Sequence, residues 1–338
     1  MKKLVTHRLF WPVAALLALI VVNTIARPQF ISVTVRDGQL YGALIDILRN
    51  SAPLMLVALG MTIVIATRGI DLSVGAIMAV SGAVALTIID TSGDPGSGAT
   101  VAVALLVGIL VALILGVWNG FLIAVLGIQP IIATLVLMLA GRGVALLITD
   151  GFITTVTSAP YKFIATGYVI GLPFALFISI AAIAVIALLE RRTALGVLTE
   201  SVGINPEASR LAGVLYSSNI MAADANAAGL YIELYAILAV VLGGTSLMGG
   251  KFTIAGTVVG VLTIQTLEST ILFLGVPSAQ APVFFAAVVI VVVLVQSPRL
   301  HRFARGLFAS RRSGGGGPST PAPTPSTTTE PTKAEAVR

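Results

Sequence analysis

Nine stretches of this chain carry one charge or none: 9–26, 51–67, 72–89, 100–128, 130–148, 167–189, 236–248, 254–267 and 281–295. This repeated pattern limits the fold more than any other feature. A straight helical span of a bilayer takes about 20 apolar residues, and inside lipid every backbone N–H and C=O has to be bonded within the protein. Of the 338 residues, 57% are hydrophobic and only 10% are charged, so there is too little polar shell for a soluble domain. The expected fold is therefore all-α, a polytopic integral membrane protein. Several runs are shorter than a span and broken by Gly or Pro, which is the pattern of interrupted or re-entrant helices. The run 9–26 follows the basic head "MKKLVTHR". It is long for a signal peptide, and "NTIARPQ" offers no small-x-small cleavage site, so it reads as an uncleaved first helix.

Cysteine is absent and His7 and His301 are the only histidines. That excludes a disulfide framework, a thiolate nucleophile and a cysteine-type metal site. The net charge of +6 reports topology here, since Lys and Arg mark the cytoplasmic side. Lys2, Lys3 and Arg8 place the N-terminus inside, and Arg299, Arg302, Arg305, Arg311 and Arg312 place the C-terminal end inside. Two inside ends require an even number of crossings, but nine runs are visible. Counting forward puts "INPEASRLAG" inside, whereas counting back puts "YSSNIMAADANAAG" outside, and Leu211–Leu215 is too short to cross. By this count one helix is missing near Val214.

"GIDLSVGAIM" (69–78) opens the third run. Asp71 stands where a helix cap belongs, able to accept from the N–H of Ser73 or Val74, with Arg68 near enough to pair with it. One reading is a capped helix start. The other is a charged, Gly-flanked start, Asp71 and Ser73 included, that lines a pathway. In "GVWNGFLIAVLGIQPIIATLVLMLAGRG" (116–143), Asn119, Gln129 and Thr134 either bond between helices or line a polar cavity. Trp118 is either an interfacial anchor or a stacking face for a sugar. "VLGGTSLMGGKF" pairs Gly243–Gly244 with Gly249–Gly250, as suits a tight turn. It is not a phosphate loop, because Phe252 follows Lys251 where Ser or Thr is needed. "NPEASRLAG" reads as a short helix opened by Asn205 and Pro206, which either docks a partner or lies on lipid headgroups.

Glu207-Ala208-Ser209 with Gly213 resembles the EAA coupling motif of ATP-binding-cassette importer permeases. With "GIDLSVGAIMA", "GIQPIIATLVLMLAGRG" and "AVVLGGTSLMGG", the chain resembles the ribose-type sugar permeases. "DGQLYGALIDILRNSAP" and "SNIMAADANAAGLYIEL" bring it closest to the galactofuranose-transporter branch. The likeness runs from about Arg36 to Ser297. It implies about ten segments where nine are visible, the absent one lying between "RLAG" and "YSSNIMAAD". It also implies that Glu207, Ala208, Ser209 and Gly213 couple to a cytoplasmic ATPase, which holds ATP and Mg; this chain itself would carry no cofactor and no catalytic residue. The implied partners are that ATPase, a second permease copy or homologue, a periplasmic or lipid-anchored sugar-binding protein and a monosaccharide. Tyr235 stands where relatives usually have Asp.

The polar residues at membrane depth are mainly amides and hydroxyls, as a neutral polyol requires. Ion coupling more often needs intramembrane carboxylates, for which Glu268 is the main candidate. The expected function is the permease of an ATP-driven monosaccharide importer, for galactofuranose or a ribose-like sugar, in the bacterial inner membrane. The alternatives are a defective or regulatory subunit lacking one helix, or an ion-coupled transporter. The expected organisation is a cytoplasmic head 1–8, a permease domain 9–297 with a coupling loop at 190–215, and a cytoplasmic tail 298–338. That tail is basic, then rich in Gly, Pro, Ser and Thr, and reads as disordered.

Overall fold

The computed structural model describes residues 9–192, 222–224, 228–247, 249, 252–275, 280, 282–287 and 290. The chain is a helical, multi-pass membrane protein. Helix α1 (Phe10–Ala26) is followed by a 3-10 turn (Pro28–Ile31) and a hairpin of β1 (Thr34–Arg36) and β2 (Gln39–Tyr41). Then come α2 (Ala43–Ala66), α3 (Val74–Asp90), α4 (Gly98–Ala124) and α5 (Pro130–Ile148). A short strand β3 (Thr154–Thr155), helix α6 (Ala159–Thr166) and strands β4 (Tyr168–Val169) and β5 (Leu172–Pro173) lead into α7 (Phe174–Arg192). After β6 (Ala222–Ala223) the chain forms α8 (Ile232–Leu242) and α9 (Ile254–Phe273), and residues 282–287 are again helical. Helices α2, α4, α5 and α9 are long and apolar enough to cross a membrane, whereas α1, α3 and α8 are apolar but shorter.

Two groups of helices pack around separate cores. In the first, α2 is surrounded by α7, α8 and α9, with Leu56, Leu59, Ile65, Val240, Val261 and Ile264 at its centre; α1 lies against α9. In the second, α3 packs between α4 and α5, with Val80, Leu86, Ile89, Val101 and Tyr161 buried together. Periodicity explains which face each helix buries. The buried residues of α4 are Val101, Ala104, Gly108, Ala112, Gly116 and Asn119, and those of α5 are Ala133, Thr134, Leu137, Gly141 and Ala145. Both sets are stripes of mostly small residues at three- to four-residue spacing. Without water to drive association, close backbone approach is what holds such helices together.

The small strands gather at one end of the bundle, which we term the hairpin face. The N–H of Leu40 donates to the Gly171 carbonyl at 2.9 Å, and the rings of Tyr41 and Tyr168 lie 5.3 Å apart. Burial raises the Tyr168 phenol above its ordinary value, while the nearby Arg49 acts in the opposite direction. Phe30 meets Phe273 edge to face at 6.0 Å, so the C-terminal ends of α1 and α9 reach the same face. Asn23 ties the two helices together there, donating to the Thr270 hydroxyl at 2.8 Å.

Helix α7 starts on the hairpin face and, at 19 residues, carries the chain about 28 Å away from it. Yet Ala222–Ala223 pairs antiparallel with Thr154–Thr155, back on the hairpin face. The stretch near Val214 where the charge count lacks a helix lies between Arg192 and Ala222, outside the described residues. The coupling motif Glu207, Ala208, Ser209 and Gly213, along with Gly250, Lys251, the head 1–8 and the tail 298–338, lies outside them too.

Candidate functional site

The site lies where the two groups of helices meet, at the N-terminal ends of α3 and α8. The first turn of α3 lies beside Gly141, since a Cβ there would stand 3.0 Å from that of Ala76; Gly141 is about 16 Å along α5. Residues 67–73 thus turn back into the bundle after α2 ends, with Arg68 in the left-handed region at φ 66°. Helix α8 has 11 residues and a length of about 16 Å, and Tyr231 before it also stands at positive φ, 64°. Non-glycine residues rarely adopt this conformation, so at both starts the surrounding structure holds the backbone in place.

The two starts meet backbone to backbone. A Cβ on Gly75 would collide with the Gly229 carbonyl and come within 2.5 Å of Glu233 Oε2, so only glycine fits at this position. Glu233, 6% exposed, reaches across the junction from α8. Arg142 reaches it from α5 and donates to the Ala228 carbonyl at 3.0 Å.

Four of the sequence candidates converge at the α3 start. Half-buried Asp71 accepts from the Ser73 N–H at 2.8 Å and from its hydroxyl at 2.6 Å. The helix begins at Val74, one position later than the N–H that Asp71 caps. Asn119 donates to the Ser73 hydroxyl at 2.9 Å, giving a directed chain from amide to hydroxyl to carboxylate. The Thr134 hydroxyl sits 3.4 Å from the Ile70 carbonyl and 2.9 Å from that of Pro130. Among the described residues, Arg68 and Asp71 form no ion pair. The stem of Arg68 lies against Gly249.

Trp118 and Gln129 do not join this cluster. Trp118 is 53% exposed and stacks on Phe121 at 6.1 Å, and Gln129 is exposed at the start of α5. Helical phase puts Trp118 on the outer side of the stripe to which Asn119 belongs, and Gln129 stands before the first turn of α5 with an extended backbone. The turn glycines have their own geometry. Gly243 packs against the backbone of Gly256, while Gly244 and Gly249 stand at φ 89° and 78°.

A second polar region opens toward the hairpin face. A cavity of about 340 Å³ between α2, α8 and α9 is lined by Asn50, Tyr235, Gln265, Glu268 and Ser269, with Leu54 and Ile232 deeper in. Gln265 donates to Glu268 Oε2 at 2.9 Å. Glu268 lies in the last two turns of α9, which continues to Phe273. Glu233, Arg142 and Gln265 were not among the site candidates. The available signal was that each is a charged or amide side chain inside an otherwise apolar segment, the setting in which such groups are usually functional.

Known proteins share this sequence pattern. The family model described as "Branched-chain amino acid transport system / permease component" matches residues 43–215 and 210–294. The chain is 39% identical to the fructose import permease protein of Bifidobacterium longum, covering 92% of this chain and 93% of the relative. It is 42% identical to the galactofuranose transporter permease protein of Escherichia coli, over 89% and 94% of the two chains. It is 35% identical to the ribose import permease protein of Bacillus subtilis, over 84% and 91%. No solved structure matches. The family match comes in two pieces that meet at residues 210–215, where the parity count put its missing helix. The alignment with the fructose permease needs 338 positions to cover 92% of this chain, so that relative carries residues with no counterpart here.

Proposed function

The chain belongs to the permease-component family of branched-chain amino acid transport systems, and from that premise we propose that it is the membrane permease of an ATP-driven monosaccharide importer. The observation that carries the reading is the meeting of two short helix starts inside the bundle, Gly75 against Gly229, bordered by the Asp71–Ser73–Asn119 chain. Interrupted helices that begin at membrane depth are a common way for transporters to present polar backbone and side chains to cargo. Ser73, Asn119 and Thr134 supply hydroxyl and amide groups beside Asp71, Glu233 and Arg142, and such groups suit a neutral polyol. The fructose, galactofuranose and ribose named for its relatives make a monosaccharide the fitting cargo, galactofuranose or a ribose-like sugar first.

In this reading the hairpin face is extracytoplasmic and receives sugar from a binding protein, with both termini in the cytoplasm of a bacterial cell. Glu207, Ala208, Ser209 and Gly213 grip a cytoplasmic ATPase, which holds ATP and Mg and performs the hydrolysis. A second copy of the chain or a homologue completes the pathway. Rocking of the α2–α8–α9 group against the α3–α4–α5 group about the Gly75–Gly229 contact alternates access.

The split family match favours a second reading, in which a chain short of one visible hydrophobic run is a defective or regulatory subunit of an intact permease. Uptake of radiolabelled sugar into vesicles decides between them, with this chain as the sole permease beside its ATPase and binding protein. ATP-dependent uptake supports the importer. Uptake no greater than without ATP, from a chain that is folded and inserted, supports the regulatory reading.

A further inference from the structure

The cavity between α2, α8 and α9 has features that neither packing nor the α3–α8 junction requires. It extends from Asn50 and Leu272 near the hairpin face to Gln265 and Ile232, about 10 Å away along α9. Its 340 Å³ is at the small end of the range for ligand pockets, a size that suits a single sugar ring. Three helices each contribute polar groups: the Asn50 amide from α2, the Tyr235 phenol from α8, and Gln265, Glu268 and Ser269 from α9. Pro53, also in the wall, has no N–H to give the Arg49 carbonyl, which leaves one backbone acceptor of α2 without its helical partner. The Tyr235 ring is braced against Phe285 at 4.7 Å and so offers a fixed aromatic wall.

The charges in and around the cavity narrow the ligand class. Among the described residues no lysine, arginine or histidine lines the cavity, and Arg49 beside it is held by Asp46 at 2.9 Å. An anionic ligand would have to desolvate its charge with no cation to receive it, which is costly. Glu268, oriented by Gln265, offers the acceptors that a sugar hydroxyl needs.

We infer that this cavity is a binding site for a neutral monosaccharide, in which Tyr235 packs on the ring and Asn50, Gln265, Glu268 and Ser269 bond its hydroxyls. The assignment rests on the permease reading but adds a location and a selectivity to it: neutral sugars are accepted, and sugar phosphates and sugar acids are refused.

The absence of cysteine makes a direct test possible. Ser269→Cys and, as a reference, Thr91→Cys on the exposed loop after α3 are made separately in the full chain in nanodiscs. Each is labelled with a charged thiol reagent in the presence of D-ribose, D-fructose, D-galactose, D-galacturonate or D-glucose 6-phosphate. The expected result is that at least one neutral sugar slows labelling at Ser269→Cys about tenfold near saturation, that the two anions do not, and that Thr91→Cys labels at one rate throughout. Adding Glu268→Ala should raise the half-protecting sugar concentration by roughly tenfold, the loss of one buried hydrogen bond. Protection by no sugar, or equal protection by the anions, overturns the assignment. ATP-driven uptake without protection removes the cavity site and leaves the importer reading standing. Protection without ATP-driven uptake keeps the cavity and removes the importer.

Discussion

Helices α2 and α4 look alike as sequence, both long and apolar, yet they have opposite places in the molecule. In its most apolar window α2 is 72% buried, whereas α4, the more apolar of the two, is 22% buried. Helix α9 is less apolar than α5 and again the more buried. Burial thus runs against hydrophobicity, the reverse of a soluble protein. Lipid is as apolar as leucine, so greasy side chains gain nothing by turning inward, and the interior goes to residues that let backbones touch or that bond one another. Val103, Leu106, Leu110, Ile114 and Val117 face outward on α4, while Ala104, Gly108, Ala112 and Gly116 face in.

The comparison predicts where substitutions hurt. The largest effect is expected on α9, where a Cβ on Gly260 would overlap the Ala239 carbonyl of α8 and one on Gly256 would overlap that of Gly243. Gly260→Leu should cost on the order of 3 kcal/mol or more and abolish a monodisperse detergent-purified chain, as judged by size-exclusion profile. Gly75→Ala, at the junction of the two helix starts, comes next. It should cost about 1–3 kcal/mol, read as a lower midpoint of thermal unfolding in nanodiscs, and lower uptake more than its stability loss explains. Ser73→Ala removes the middle of the Asp71–Ser73–Asn119 chain and leaves a buried amide without its acceptor, for a loss of about 1–3 kcal/mol. Leu106→Ala on the outward face of α4 should change the midpoint by no more than about 0.5 kcal/mol. A large loss there would mean that another protein surface, rather than lipid, covers that face.

Much of this fold was legible in the sequence, because lipid restricts the choice of structure. Helix α5 has the same bounds as its apolar run, 130–148, with Pro130 at its first position. Helix α2 begins eight residues before its run, since Asp46, Arg49 and Asn50 are polar residues in a part of the helix beyond the apolar stretch. The α3 start was legible in part. "GIDLS" announced a capped helix, and the hydroxyl and carboxylate do bond there, but composition could not show that the start lies beside Gly141 inside the bundle. Within one motif the sequence also could not separate Asn119 from Trp118 or Thr134 from Gln129. Helical phase separates Asn119 from Trp118, and the spacing of small residues leading to Asn119 carried that phase; Gln129 stands before the first turn of α5. The cavity was the least legible feature, because it combines residues more than 200 positions apart.

The claim on which the rest depends is that the chain returns to the hairpin face by Asp224, despite having one visible run too few. Single cysteines at Thr91, Asp224 and Ser313 in otherwise unchanged, cysteine-free chain can be labelled in intact cells with a membrane-impermeant thiol reagent. The account predicts that Thr91→Cys and Asp224→Cys label from outside while Ser313→Cys labels only after the cells are opened. A shielded Asp224→Cys with a labelled Ser313→Cys would mean that the C-terminal segments run the other way through the membrane. In that case Gly75 and Gly229 could not meet as described, and the importer reading would fall.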